Sequence, residues 1–119
     1  MILKSKLLSM KSKPSKYKAV KTEIDGIIFD SKKEAFRYHE LKILLRAGEI
    51  KQLELQKKNY LEVNKTKLGF YKADFVYREK NQFGEWENIV EDVKGVKTSI
   101  YQLKKKLLLA IYGIKIRET

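Results

Sequence analysis

The stretch Ile89-Val90-Glu91-Asp92-Val93-Lys94-Gly95 sets the expected fold of this 119-residue chain. It reads as a short β-strand framed by apolar residues. Because side chains along a strand alternate between the two faces of a sheet, Asp92 and Lys94 share one face and Glu91 lies on the other. Burying a charge is costly unless it is paired or binds a metal. The stretch therefore has two readings, an ion pair on an edge strand or part of a functional site.

A second acidic residue in similar surroundings favours the functional reading. Asp74 lies within Tyr71-Lys72-Ala73-Asp74-Phe75-Val76-Tyr77, which also reads as a strand. Residues 81–84, with the sequence Asn-Gln-Phe-Gly, predict a turn that joins the two strands into a hairpin. We expect this hairpin to bring Asp74 close to Asp92.

Asp74 followed by Asp92-Val93-Lys94 resembles the signature of the PD-(D/E)XK nuclease superfamily, in which an Asp ends one strand and (D/E)-x-K lies on the next. Glu91 does not fit the middle position, because Val93 and not lysine stands two residues after it. Ala73 occupies the place of the family proline. The whole pattern is similar to small endonucleases encoded by phages and prophages, in the branch that resembles Holliday-junction resolvases.

This resemblance implies an α/β (α+β) fold with a mixed central β-sheet flanked by helices, the restriction-endonuclease-like core. Residues 1–16 read as a basic, flexible arm, partly helical at Leu3–Met10, and residues 17–119 as one nuclease-like domain. The pattern predicts strands at 17–21, 27–29, 50–63, 68–78, 86–94 and 114–117, and helices from Ser31 to Gly48 and from Thr98 to Tyr112. The apolar stripe of the second helix is predicted to be Ile100, Leu103, Leu107 and Ile111.

Glu34 has two readings that are compatible with each other. It stands three residues after Ser31, which is the spacing of a capping box at a helix N-terminus. It also lies on the same helical stripe as Tyr38, Leu41 and Leu45, which faces the core. The superfamily places an acidic residue from its first core helix beside the two strand carboxylates, and the resemblance assigns that place to Glu34.

Two further polar residues are candidates for the rim of the site. Gln56 holds the position of a glutamine that several members of the superfamily use, although a neutral glutamine on a strand is the simpler reading. Lys104 falls within the apolar stripe of the second helix. It either pairs with the carboxylates or buries its stem and keeps its charge in water. The single histidine, His39, has no second His or Cys near it in sequence, which favours a surface or packing role.

The resemblance implies Mg²⁺ or Mn²⁺ as the cofactor, held by Glu34, Asp74, Asp92 and the backbone carbonyl of Val93. Hard divalent cations prefer such oxygen ligands, and they supply much of the chemistry of phosphodiester hydrolysis. Lys94 is expected to orient the attacking water or to stabilise the charge that develops at phosphorus. No glycine-rich phosphate loop points to a nucleotide cofactor.

Composition favours a polyanionic partner, because the formal net charge is +12. The chain has no cysteine and no apolar run of the roughly 20 residues that span a bilayer, so a cytoplasmic protein is expected. Together with the resemblance, these observations predict a metal-dependent DNA endonuclease, and the resemblance implies a homodimer that acts on branched or four-way junctions. The alternatives are a basic DNA-binding protein without catalysis and a subunit of a phage replication or packaging assembly.

Overall fold

The computed structural model describes residues 12–14, 20–93 and 97–119. Over these residues the chain has an α+β fold with a three-stranded sheet, a four-stranded mixed sheet and two helices, which confirms the predicted fold class. The chain divides into two compact units, residues 1–46 and residues 47–119. The helix predicted at Leu3–Met10 lies outside the described residues. The division into an arm and a single domain stays a prediction.

The first unit contains an antiparallel sheet. Its strands are β1 (Ser12–Pro14), β2 (Val20–Ile24) and β3 (Ile27–Phe29), adjacent in that order. Asp25 and Gly26 join β2 to β3 with φ angles of 53° and 76°, and positive φ at both positions is what a two-residue hairpin turn requires. Strand β2 continues to Ile24 instead of ending at Lys21 as predicted.

Strand β1 lies within residues 1–16, for which the sequence predicts a basic, flexible arm. Ser12, Lys13 and Pro14 pair with β2. The sequence of residues 12–14 has no local signal for a strand. These residues form a strand through backbone pairing with β2. Proline is compatible with the strand because β1 lies at the edge of the sheet.

Helix α1 (Lys32–Arg46) follows β3 and begins as predicted. The Oγ atom of Ser31 accepts the N–H of Glu34 at 3.1 Å, which is the N-cap hydrogen bond. The Tyr38 ring packs on Phe29 of β3, with ring centroids 5.0 Å apart. The buried residues of α1 are Glu34, Ala35, Tyr38 and Leu41. Glu34 therefore points inward, as its place on the apolar stripe predicts.

The second unit is built on the mixed sheet. Its strands are β4 (Ile50–Val63), β5 (Thr66–Lys80), β6 (Trp86–Asp92) and β7 (Arg117–Glu118), adjacent in that order. The first three are antiparallel, and β7 runs parallel to β6. In the turn between β5 and β6, the side chain of Asn81 accepts the N–H of Phe83 at 2.8 Å. The hairpin predicted around residues 81–84 is confirmed, and the last strand begins at Arg117 instead of Ile114.

Helix α2 (Ser99–Tyr112) packs on this sheet. Thr98 caps its N-terminus by accepting the N–H of Tyr101 at 3.1 Å, and Gly113 ends it with φ of 68°, in agreement with the predicted bounds of Thr98 to Tyr112. The predicted apolar stripe is wrong in its first half, because Ile100 and Leu103 are 64% and 57% exposed. Neither helix in the described part of the chain is long and apolar enough to cross a membrane.

The buried face of α2 is centred on Tyr101 and Leu108 instead. Each residue of a helix turns by 100°, so a stripe placed one residue too early points well away from the sheet. Tyr101 takes the inward position because its ring packs on Tyr71, with centroids 6.2 Å apart, while its hydroxyl reaches Glu118. The core of the second unit consists of Leu61, Tyr71, Ala73, Val90, Tyr101, Leu108 and Ile116.

Candidate active site

Asp74 and Asp92 face each other across strands β5 and β6. The antiparallel register pairs Phe75 with Glu91, so the next pair of positions is Asp74 opposite Asp92. Facing residues of a sheet point to the same side, with Cβ atoms roughly 5 Å apart. Asp92 is fully buried and Asp74 is half-buried. The structure therefore brings together the two strand carboxylates that the sequence predicts for the site.

The backbone after β6 fixes the orientation of Asp74. The N–H of Val93 donates to Oδ2 of Asp74 at 2.8 Å. A hydrogen bond to a carboxylate is stronger than one between neutral groups, and this one also holds the end of β6 against β5. The side chain of Asp74 faces Asp92. Two carboxylates held this close repel each other, and a divalent cation between them would offset that repulsion.

Gln56 lies at the corresponding position of the neighbouring strand β4. The register pairs Leu55 with Phe75 and Lys57 with Ala73, which places Gln56 opposite Asp74. Its φ of 55° is in the left-handed region, an unusual backbone for a residue other than glycine. Three adjacent strands thus present Gln56, Asp74 and Asp92 in one row across the sheet.

Glu118 extends this row by one strand and was not predicted. The parallel register of β6 and β7 pairs Asp92 with Glu118. The carboxylate of Glu118 accepts hydrogen bonds from the Tyr101 hydroxyl at 2.7 Å, from Lys105 Nζ at 3.0 Å and from Lys97 Nζ at 3.4 Å. These donors, Tyr101 foremost, lower the pKa of Glu118 to about 2. Glu118 is therefore an anion at neutral pH whose charge is balanced by Lys105 of α2 and by Lys97, which precedes the helix.

All three carboxylates affect the pKa of Tyr101. Burial raises its pKa above the usual value most strongly, followed by its hydrogen bond to Glu118. The negative charges of Glu118, Asp92 and Asp74 raise the pKa of Tyr101 further. Its hydroxyl stays protonated at neutral pH and acts as a donor. The only signal in the sequence was a tyrosine on the first turn of a helix that follows the predicted site.

Glu91 belongs to a separate network on the opposite face of β6. The side chain is fully buried and accepts hydrogen bonds from Tyr77 Oη at 2.5 Å and from Thr119 Oγ1 at 3.1 Å. Arg117 donates to Tyr77 Oη at 3.1 Å and pairs with Glu79 at 2.8 Å. This network ties β5, β6 and β7 together. The location of this network agrees with the prediction that Glu91 is not part of the site.

The remaining predicted residues lie elsewhere or outside the described part of the chain. Lys94 is outside the described residues, whereas Val93, whose carbonyl is a predicted ligand, is described and half-buried. Lys104 is half-buried, with Nζ 5.5 Å from the centroid of the Phe70 ring, a contact in keeping with a buried stem. Glu34 belongs to the first unit, where it is 4% exposed.

In the second unit, the structure brings together the carboxylates of Asp74, Asp92 and Glu118. Within the described residues, no group of three or more His, Cys, Asp or Glu side chains is arranged to hold a metal ion. Glu118 is engaged with Tyr101 and two lysines. The ligand set proposed for a cation therefore rests on Asp74 and Asp92, with Glu34 and the Val93 carbonyl as predicted additions.

Comparison with known proteins identifies a family to which the chain belongs. Residues 14–117 match the model of a family described as a protein of unknown function (DUF1064). The matched range includes Gln56, Asp74 and Asp92. No curated protein and no solved structure matches the chain.

Proposed function

We propose that this chain, which belongs to the DUF1064 family, is a metal-dependent DNA endonuclease that hydrolyses phosphodiester bonds. The observation that carries the proposal is the pair of facing carboxylates, Asp74 and Asp92, on adjacent strands. One is fully buried, and the other is anchored by the N–H of Val93. Adjacent carboxylates supply the oxygen ligands that a divalent cation prefers, so a function that uses both accounts for them.

The donor atoms fit a hard divalent cation. Asp74, Asp92 and the Val93 carbonyl offer only oxygen, which Mg²⁺ and Mn²⁺ prefer, and the chain has no cysteine to bind softer metals. Such a cation, when bound, neutralises charge on the phosphate and lowers the pKa of a water molecule.

The residues of the chain have distinct tasks under this proposal. The Val93 N–H keeps Asp74 in one orientation, and burial restricts the side chain of Asp92. Lys94 would orient the attacking water or stabilise the negative charge that develops on the phosphate. Gln56, which faces Asp74 from β4, would position the water or the DNA strand. Lys104, which lies near Phe70, would have a supporting role.

DNA is the substrate that the charge of the chain favours. A net charge of +12 on 119 residues attracts the phosphate backbone at long range, independently of sequence. The resemblance to small junction-resolving endonucleases favours branched or four-way DNA, cut by a homodimer in the cytoplasm. Cleavage of linear, flap, fork and four-way substrates with Mg²⁺ or Mn²⁺, each with an EDTA control, tests this preference.

The decisive experiment compares three variants of the site. In Asp74→Asn and Asp92→Asn, the loss of charge repulsion and the weakening of hydrogen bonds oppose each other, so we expect the free energy of unfolding to change by no more than about 1 kcal/mol. Cleavage should fall by about 10²-fold or more, and Mn²⁺ affinity should fall with it. Lys94→Ala should lose cleavage while it keeps Mn²⁺ and DNA binding. Calorimetric melting, Mn²⁺ titration and cleavage assays measure these three properties.

Glu87→Gln is the matched control, because Glu87 is an exposed carboxylate on the same strand β6. It should leave melting, metal binding and cleavage unchanged. A structural ion pair gives the opposite pattern, since breaking a buried pair from either side destabilises by about 3–5 kcal/mol. If all three site variants melt much lower and Mn²⁺ has no effect on any of them, the nuclease proposal fails and the non-catalytic DNA-binding alternative takes its place.

A further inference from the structure

An open groove lies on the second unit, at the end of the β4–β5 hairpin. Its volume is about 580 Å³. Tyr60 and Phe70 are a facing pair of the sheet, with ring centroids 6.2 Å apart, and they are 66% and 38% exposed. Tyr112 of α2 forms another wall, fixed by a hydrogen bond from its hydroxyl to the Tyr60 carbonyl at 2.7 Å. Three aromatic rings are therefore held at one place, with large parts of their surfaces in contact with solvent.

Lysine side chains surround these rings. Lys58 Nζ lies 4.8 Å from the centroid of the Phe70 ring, and Lys104 Nζ lies 5.5 Å from it. Lys67 lines the groove, in which Glu62 is the single acidic residue. Ammonium groups close to ring faces keep the groove positively charged without covering the rings completely. This combination of aromatic faces and cations is what proteins use to hold unpaired nucleic-acid bases by stacking and their phosphates by charge.

We infer that this groove binds unpaired bases of a nucleic-acid strand, which stack on Tyr60 and Phe70 while Lys58 and Lys104 contact the neighbouring phosphates. Charge decides among the possible occupants. A second copy of this chain would bring another +12 charge and place the same lysines against each other, which is unfavourable. A neutral peptide would leave the lysines without a counter-charge, whereas a phosphate backbone supplies it.

The groove is aligned with the facing carboxylates, and this part of the inference rests on the proposed nuclease function. Phe70, Lys72 and Asp74 lie in this order along β5. At roughly 3.3 Å per residue, Phe70 and Asp74 are about 13 Å apart along the strand. Between them lie Lys58 and Lys72, a facing pair that is exposed on both strands. A strand that stacks in the groove thus passes two lysines before it reaches the carboxylates.

This alignment specifies the class of substrate. Bases in an intact duplex are stacked on each other and cannot offer a face to Tyr60 and Phe70. A strand with unpaired bases within a few nucleotides of the cleaved phosphate can fill both places. We therefore expect the preferred substrate to have a single-stranded segment beside the cleavage point, as flaps, forks and opened junctions do.

Fluorescence anisotropy of the full chain with a labelled oligothymidylate of about 12 nucleotides and a duplex of equal length tests the inference. The titrations are done in EDTA, so that they report binding whether or not the protein cleaves DNA. The main variant is Tyr60→Ala combined with Phe70→Ala. A second variant, Phe70→Leu, keeps an apolar side chain and removes the aromatic face. Phe83→Ala is the control, since Phe83 is an aromatic residue with 75% exposure at the other end of β5.

The double variant should bind the oligothymidylate at least about 10-fold more weakly, because stacking on each ring contributes that order of affinity, and duplex binding should stay within about twofold. Phe70→Leu should lose several-fold in single-strand affinity with an unchanged melting temperature, and Phe83→Ala should match the wild type. Unchanged single-strand binding, or an equal loss for single strand and duplex, would overturn the inference. The inference would also be overturned if the variants changed only the self-association of the protein, measured by sedimentation. That result would assign the groove to a second copy of the chain. If the groove binds as expected but no substrate is cleaved with Mg²⁺ or Mn²⁺, the failure belongs to the nuclease proposal alone.

Discussion

Replacing Glu118 by Gln tests how the row of carboxylates is held together. Glutamine keeps the shape of the side chain and one oxygen that can accept the Tyr101 hydroxyl, but it removes the charge. In the wild type, Tyr101 donates at 2.7 Å, Lys105 at 3.0 Å and Lys97 at 3.4 Å. The substitution therefore changes one charge-assisted hydrogen bond into a neutral one and abolishes two ion pairs.

The expected loss of stability is about 2 kcal/mol at pH 7. A hydrogen bond to a charged group contributes roughly 1.5–3 kcal/mol and a neutral one about 1 kcal/mol. The two lysine side chains are 50% and 38% exposed, so their ion pairs are screened by water and contribute about 0.2–1 kcal/mol each. Glu118 itself is 22% exposed, which keeps the total near the middle of these ranges.

The same loss should disappear in acid. The pKa of Glu118 is about 2 in the folded protein, below its usual value of 4.5, so the unfolded chain takes up the proton first as the pH falls. The stabilisation by Glu118 is therefore fully present above pH 4.5 and is lost as the pH falls towards 2. The difference between wild type and Glu118→Gln should shrink from about 2 kcal/mol at pH 7 towards zero at the lower pH.

Urea titrations from pH 7 down to pH 2.5 measure this difference. Fluorescence of Trp86, the single tryptophan, reports on the second unit, which also contains Glu118. The control is Glu54→Gln, which removes an exposed carboxylate whose ion pair with Lys57 is 3.1 Å long, and it should change stability by less than about 0.5 kcal/mol at every pH. A loss of equal size at pH 7 and pH 2.5, or no loss at pH 7, would refute the reasoning.

Three further predictions concern other parts of the chain. Tyr77→Phe should destabilise the protein by about 2 kcal/mol in urea titrations, because it removes the donor to the buried carboxylate of Glu91 and the acceptor of Arg117; an unchanged midpoint would contradict the importance of that network. Glu34→Gln should abolish cleavage with little change in melting temperature if Glu34 binds metal, whereas lower stability with intact cleavage would leave it only the capping role. Deleting residues 1–11, which spares β1, should weaken DNA binding and reduce the slope of log affinity against log salt by roughly 0.9 for each lost phosphate contact, and identical slopes would show that the arm does not contact DNA.

The elements of the fold were predictable because their ends carry local signals. Ser31 and Thr98 cap the two helices through hydrogen bonds that form within three residues, and Asp25-Gly26 makes a turn that needs no distant contact. The facing of Asp74 and Asp92 was predictable for the same reason. A hairpin has a short connection, so the position of its turn determines which residues of its two strands meet.

The orientation of α2 was not predictable from its own residues. Apolar side chains occur on several sides of this helix, so that periodicity alone gives no unique buried face. The contact that decides is made by Tyr101, which packs on Tyr71 and donates to Glu118. Both partners are distant in sequence, and β7, which carries Glu118, has only two residues. Such a short strand has no pattern of its own and exists because β6 offers it a free edge.

The two acidic residues at the end of β6 lie on opposite faces of the sheet and have different surroundings. Glu91 is buried together with hydroxyl donors from Tyr77 and Thr119, which is how a folded chain accommodates an acid that serves its structure. Asp92, one residue later and on the other face, is equally buried but stands opposite a second acid, Asp74. Under the proposed function, both acids bind the same cation, whose preferred ligands are carboxylate oxygens.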